Sequence, residues 1–178
     1  MSFNDIDAAD DVDDTPIEDT YLTFRVGAEE YAVPVTCVTE IVRLQKSFAV
    51  PDVPSCVRGV INLRGKVIPL VDVRQRFELT PAVYSDRTVV VVLEFADAAT
   101  GLIVDGVSEV VEIPPEQIEQ RVGWSGRDGS ARPVVRAVGK RGDSVSFILD
   151  VNALLDLHAH HTNPTSPRAQ SHLEESRS

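Results

Sequence analysis

The chain has 178 residues, 43% of them hydrophobic, and a formal net charge of −11, a size that suits one domain or two small, closely packed ones. The charge is uneven: residues 1–20 carry eight acids and no Lys or Arg, residues 21–157 hold 18 acids against 15 bases, and the remainder is neutral. A negative chain without a basic stripe argues against nucleic acid and against an anionic membrane surface as the main partner, and its longest β-rich apolar run, Val89–Leu93, is far too short to span a bilayer.

Taken in order, the chain opens with an acidic segment, 1–20, too polar to offset its own ordering entropy and expected to be disordered. It has no cationic start followed by an apolar stretch, so the expected compartment is the cytoplasm. The alternation of Leu22, Phe24 and Val26 against Tyr21, Thr23 and Arg25 predicts a half-buried strand, with a turn at 27–30 and a second strand over YAVPV. Pro34 within that run points to an edge position or a bulge. Val38–Leu44 fits either a short helical turn leading into a strand or a strand throughout; periodicity does not separate the two. Pro51 and Pro54 mark a loop.

Strands near Arg58–Leu63 and Lys66–Val71 flank Arg64-Gly65, a tight hairpin-like connection in which glycine supplies a positive φ. Asp72 is placed to cap a short helix running through Glu78. The scheme then repeats: a strand over RTVVVVLEF, a DAAT turn, strands over GLIVD and VSEVVEI, the pair Pro114-Pro115, and a strand at RAV. A turn at Gly139–Asp143, a strand over SVSFIL and a closing helix from Asp150 to about His158 complete it. The polar segment 158–178 is expected to be a disordered tail.

The repetition extends to individual residues. VRGVINLRGKVIPLVDVRQRF (57–77) matches VRAVGKRGDSVSFILDVNALL (135–155) at an offset of 78, so that Val57 falls on Val135 and Asp72 on Asp150. Earlier segments match at 69, placing Glu40 on Glu109 and Ile41 on Val110. The nine-residue difference puts an inserted loop, GWSGRDGSARP, in the second copy. One β unit is thus used twice, over about 21–80 and 88–157. Many short strands with frequent turns predict small barrels or a sandwich.

No arrangement of residues supports a reaction. His158, His160, His161 and His172 all lie at or beyond the last predicted helix, so a core nucleophile has no histidine base. The HAHH cluster reads as a solvated tail in preference to a metal site. Cys37 and Cys56 lack metal-ligand spacing and read as reduced thiols. Asp72 and Asp150 read as helix caps before paired carboxylates. Glu40 and Glu109 recur within apolar segments, as common descent alone would produce. Arg64 is either a solvated turn charge or an organiser of a docking groove. Trp124, the lone tryptophan, either folds over a barrel mouth or anchors a partner protein. A duplicated scaffold without reactive residues reads as a binding protein and not as an enzyme, with no cofactor expected.

EEYAVPVTCVTEI, VRGVINLRGKVIPLVDVRQRF, VVVVLEF and GLIVDGVSEVVEI together closely resemble the CheW family of chemotaxis coupling proteins, from Tyr21 to about Leu157. Gly59–Gly65 followed by Pro69–Arg74 carries most of the likeness, and Asp105-Gly106-Val107 is a second, independent match. The resemblance implies an all-β fold of two five-stranded barrels of the Src-homology-3 type across an apolar interface, with short capping helices and with the chain free to cross between barrels. It implies an adaptor linking chemoreceptor tips to the regulatory domain of a CheA-type histidine kinase, monomeric in solution, cytoplasmic and recruited to membrane-bound receptor arrays. By position it places Val38, Glu40, Ile41, Gly59, Val60 and Arg64 at the receptor-facing groove and Trp124 at the contact with the kinase or ring. The inserted loop and Glu119 depart from the pattern on that side. A scaffold for a pilus or polar-localisation array, and a small-molecule-sensing double barrel, are the alternative readings.

Overall fold

The computed structural model describes residues 17–120 and 133–157. Its strands are β1 (Thr20–Val26), β2 (Glu29–Pro34), β3 (Val38–Arg43), β4 (Val57–Leu63), β5 (Lys66–Asp72), β6 (Val89–Phe95), β7 (Ala98–Val104), β8 (Gly106–Glu112), β9 (Ile118–Gln120), β10 (Val135–Arg141) and β11 (Ser144–Leu149). Two short helices, α1 (Val73–Arg76) and α2 (Val151–Leu155), follow β5 and β11. The strands form two sheets, ordered β8-β1-β2-β11-β10-β9 and β3-β6-β7-β5-β4.

Each sheet closes on itself through a bent strand. β8 pairs with β1 at one end of its sheet, and the same stretch of chain, continued as β9, pairs with β10 at the other. In the second sheet β3 pairs with β6, and the chain beyond it returns at Phe48, which exchanges 2.8 and 2.9 Å hydrogen bonds with Val60 of β4. Counting each bent strand once, both sheets are five-stranded, and closure protects most of the edge that a run such as VVVV would otherwise expose.

The duplication holds down to the register. Val57 opposes Val71 and Gly59 opposes Leu70, as Val135 opposes Leu149 and Ala137 opposes Ile148, with the same irregularity after the first pair. The spatial units nevertheless differ from the sequence units. The first barrel takes β1 and β2 from the first copy and β8, β10 and β11 from the second; the other barrel takes the reverse. Parallel pairing of β2 with β11 and of β7 with β5 stitches the exchanged parts together.

Strand alternation produces three apolar clusters. Tyr21, Ala32, Val111, Ile113, Ala137 and Ile148 fill the first barrel, and Ile61, Ile68, Leu70, Val90, Val92 and Ile103 fill the second. The opposite faces of the same strands meet between the barrels, where Leu22, Phe24, Val33, Val71, Val91, Leu93, Leu102 and Leu154 form the largest cluster. β6 shows the logic: Val90 and Val92 point into their own barrel, while Val91 and Leu93 point into the seam. A strand buried on both faces reads as an unbroken apolar run.

Several expectations need correction. Pro34 ends β2, an inner strand, where it pairs with Tyr21 of β1 but lies beyond the last residue paired with β11, so the edge is a local one and the expected bulge is absent. Of the two readings left open for Val38–Leu44 the strand is the one found, over Val38–Arg43, and a helical turn lies just before it at Val35–Cys37. The turn placed at DAAT, 97–100, is instead Ala96-Asp97, with φ values of 51° and 63°, because Phe95 pairs directly with Ala98. The turn placed at Gly139–Asp143 is only Gly142-Asp143, since Arg141 still pairs with Ser144. Strand β9 was not foreseen. Both helices are shorter than expected, but their caps are as read: Asp72 accepts from the N–H groups of Arg74 and Gln75, and Asp150 from that of Ala153.

Candidate protein-docking surface

β3 carries Val38, Glu40 and Ile41, β4 carries Gly59 and Val60, and Arg64 occupies the β4–β5 turn. These strands are the two ends of the five-stranded sheet, and the coiling of that sheet brings them together. Arg64 and Gly65 both have positive φ, 52° and 84°, as a two-residue hairpin turn demands, and Asn62 Oδ1 accepts from the Gly65 N–H at 2.8 Å. The turn projects Arg64 across to β3, where its two terminal nitrogens donate to Glu40 Oε1 at 2.8 Å and Oε2 at 2.6 Å.

That hydrogen bond holds the Glu40 carboxyl below its ordinary range and raises Arg64 further. The Arg64 side chain is 73% exposed. An exposed ion pair contributes little to stability, so a partner can take over either side of it at small cost. The same barrel also shows apolar side chains to water: Ile41 of β3 at 44%, Val67 of β5 at 64% and, in the chain after β3, Phe48 at 60% exposure.

The six residues named from the sequence have unequal roles here. Ile41 and Arg64 are exposed, and Glu40 and Val60 are half-buried. Val38 is partly buried against the seam cluster. Gly59 is buried, with φ of 132°; a Cβ there would stand 2.2 Å from the Phe48 carbonyl oxygen. It shapes the surface by letting the Phe48 backbone cross β4, and offers no side chain to a partner. Trp124 and all four histidines lie outside the described residues.

Other polar contacts join parts of the chain that are distant in sequence, and these were not foreseen. Arg74 of α1 donates to both carboxylate oxygens of Asp105, at 2.9 and 2.6 Å, and Asp105 also accepts from the Gly27 N–H at 2.7 Å. Burial raises the Asp105 carboxyl, but Arg74 and the Gly27 N–H outweigh it and leave the group below its usual range. Arg76, buried, donates to the carbonyls of Ala153 and Leu154 at the end of α2. Tyr84 donates to Asp72 Oδ2 at 2.7 Å, and burial first, then Asp72, pushes its phenol up to about 12. Each partner lies 12 to 78 positions away in sequence, and no local pattern announces such pairs. Glu109 and Arg141 had one available signal, the recurrence of Glu40 as Glu109.

Among the described residues no group of three or more His, Cys, Asp or Glu is placed to hold a metal ion, and no helix is long and apolar enough to cross a membrane.

Comparison with known proteins agrees with this architecture. Residues 20–159 match the family model of the CheW-like domain. The chain is 32% identical over 135 residues to the chemotaxis protein CheW of Klebsiella aerogenes, covering 76% of this chain and 80% of that one. It is 33% identical over 135 residues to the chemotaxis protein CheW of Bacillus subtilis, covering 76% and 85%. The crystal structure of the scaffolding protein TtCheW from Thermoanaerobacter tengcongensis superposes with a TM-score of 0.70 at 27% identity, over 78% of this chain and 93% of that one.

Proposed function

The chain belongs to the family of CheW-like domains, and from that premise we propose that it is a chemotaxis adaptor, docking a chemoreceptor's cytoplasmic tip at the β3–β4 surface and passing the receptor's state to a CheA-type histidine kinase. The observation that carries this reading is the Arg64–Glu40 pair, exposed beside Ile41 on a rigid closed barrel. A receptor tip is a helical hairpin. Its apolar stripe rests on Ile41 and its neighbours, while the guanidinium of Arg64 meets helix carboxylates or carbonyls and fixes register. The kinase contact falls to the segment that contains Trp124. Both contacts are non-covalent, need no cofactor, and take place in the cytoplasm at receptor arrays.

Transmission requires that the two receptor states bind this surface with different affinity, since equal binding shifts no equilibrium. The test is reconstitution of the full chain with a receptor signalling tip and the kinase. A ternary complex is expected, and Arg64→Ala is expected to abolish receptor control of kinase activity while leaving Tm within about 2 °C of the parent. Absence of a ternary complex, or full receptor control in the variant, overturns the proposal.

A further inference from the structure

The duplication places a second version of this surface on the other barrel. Glu109 stands where Glu40 does, Val110 where Ile41 does, and both belong to β8, the counterpart of β3. Val145 stands where Val67 does. These side chains also face water: Val110 is 58% exposed and Val145 46%. An arginine again crosses from the hairpin to the glutamate, Arg141 to Glu109 Oε1 at 2.9 Å. It does so from one position earlier than Arg64, because Gly142, with φ of 58°, occupies the first place of the turn. The pairing of β8 with β1 slips between Leu22 and Phe24, as that of β3 with β6 slips between Val38 and Glu40. Such bulges break the regular edge that an added strand would need, so a partner docks here through side chains.

The chemistry differs in charge. Around the first surface Arg43, Arg64 and Lys66 outnumber Glu40; at the corresponding places around the second stand Glu112, Gly142, Ser144 and Glu109, with Asp143 in the turn. The two cations on the β10 side are already engaged, and a third, Arg25, pairs with Gly106 at the opposite end of β8 from Glu112. Arg141 lies between Glu109 and, at 3.9 Å, Glu30, whose carboxylate also accepts from Ser146 Oγ. Lys140 is paired with Glu119. Glu112 and Asp143 have no ion pair among the described residues and leave the rim negative.

We propose that the surface of Val110, Val145, Glu109, Glu112 and Asp143 is a second docking site, for an amphipathic helix whose apolar stripe is flanked by lysine or arginine. The inference rests on reading the β3–β4 surface as a helix dock, and adds that one chain grips two helices of opposite flanking charge.

The experiment is an amide-shift titration of the full, isotope-labelled chain with two synthetic amphipathic helical peptides. Each has one leucine stripe; one is flanked by lysine and the other by glutamate. The lysine peptide is expected to shift Val107–Glu112 and Lys140–Val145, and the glutamate peptide to shift Val38–Arg43 and Arg64–Val67. The surface variant Glu112→Lys with Asp143→Lys is expected to weaken the lysine peptide about tenfold, equivalent to about 1.4 kcal/mol, and to leave the glutamate peptide unaffected. Shifts from the lysine peptide that are confined to residues 1–16, scattered over the molecule, or unchanged by the double variant overturn the second site. Failure of the glutamate peptide alone counts against the β3–β4 surface and leaves the second site standing.

Discussion

Replacing Gly59 by Ala separates a residue that builds the proposed docking surface from one that would touch a partner. The new methyl group would stand 2.2 Å from the Phe48 carbonyl oxygen and 2.9 Å from its carbonyl carbon, both backbone atoms that no rotamer change removes. A φ of 132° is in addition open almost only to glycine, at a cost of about 1–3 kcal/mol for another residue. Relief requires the Phe48 segment to lift away, and with it go the two hydrogen bonds to Val60 that close the barrel, about 1 kcal/mol each. Together these come to roughly 3–5 kcal/mol, a fall in Tm of roughly 10–15 °C for a body of this size. Thermal and urea unfolding read the loss, and hydrogen exchange at the Phe48 and Val60 amides reads its location. Position 137 supplies the control. Ala137 occupies the same place in the other barrel beneath a regular β9, paired with Gln120, so Ala137→Gly should cost only about 1 kcal/mol. If Gly59→Ala leaves Tm and both amides unchanged, the steric reasoning is wrong and any binding defect belongs to the contact itself.

The seam is expected to be the most sensitive part of the molecule: Leu93→Ala, at a fully buried position there, should lower stability by about 2–5 kcal/mol, measured by urea unfolding with an unchanged m value. Ala96 sits at φ 51° without glycine's freedom, so Ala96→Asn should raise stability by about 0.5–1 kcal/mol; an unchanged or lower Tm would contradict the strain. Tyr84 has a phenol raised from 10.0 to about 12, which means the folded state holds that proton more tightly than the unfolded chain. Its contribution is therefore full below pH 10 and lost between about pH 10 and 12. Tyr84→Phe should flatten stability over that window, and a slope identical to the parent's would assign the alkaline loss to other groups.

The sequence carried the twofold repeat, the caps at Asp72 and Asp150 and the Arg64-Gly65 turn, because each depends on neighbours in the chain or on residues recurring at a fixed offset. It carried the all-β architecture through strands such as β6, whose unbroken valines match burial on both faces. It did not carry the redistribution of strands between barrels, because a parallel junction such as β2 with β11 joins Ala32 to Ile148 and leaves no local trace. The surface was legible to the same degree. That Arg64 lies in a turn follows from Gly65 beside it, but whether Gly59 faces outward or supports a crossing backbone depends on Phe48, eleven positions earlier and beyond two prolines. The Glu40–Arg64 and Glu109–Arg141 pairs span 24 and 32 positions, and no local pattern joins the partners of either.

Because each barrel borrows a hairpin from the opposite repeat, neither repeat owns a complete hydrophobic interior. Two separate polypeptides of one repeat each would need to embrace as an obligate pair, trading hairpins across a twofold axis, before either could hide its valines. The stretch from Glu78 to Thr88 turns that embrace into an intramolecular event, independent of protein concentration. It also frees the two faces of the former pair to diverge, since a substitution in one no longer appears in the other.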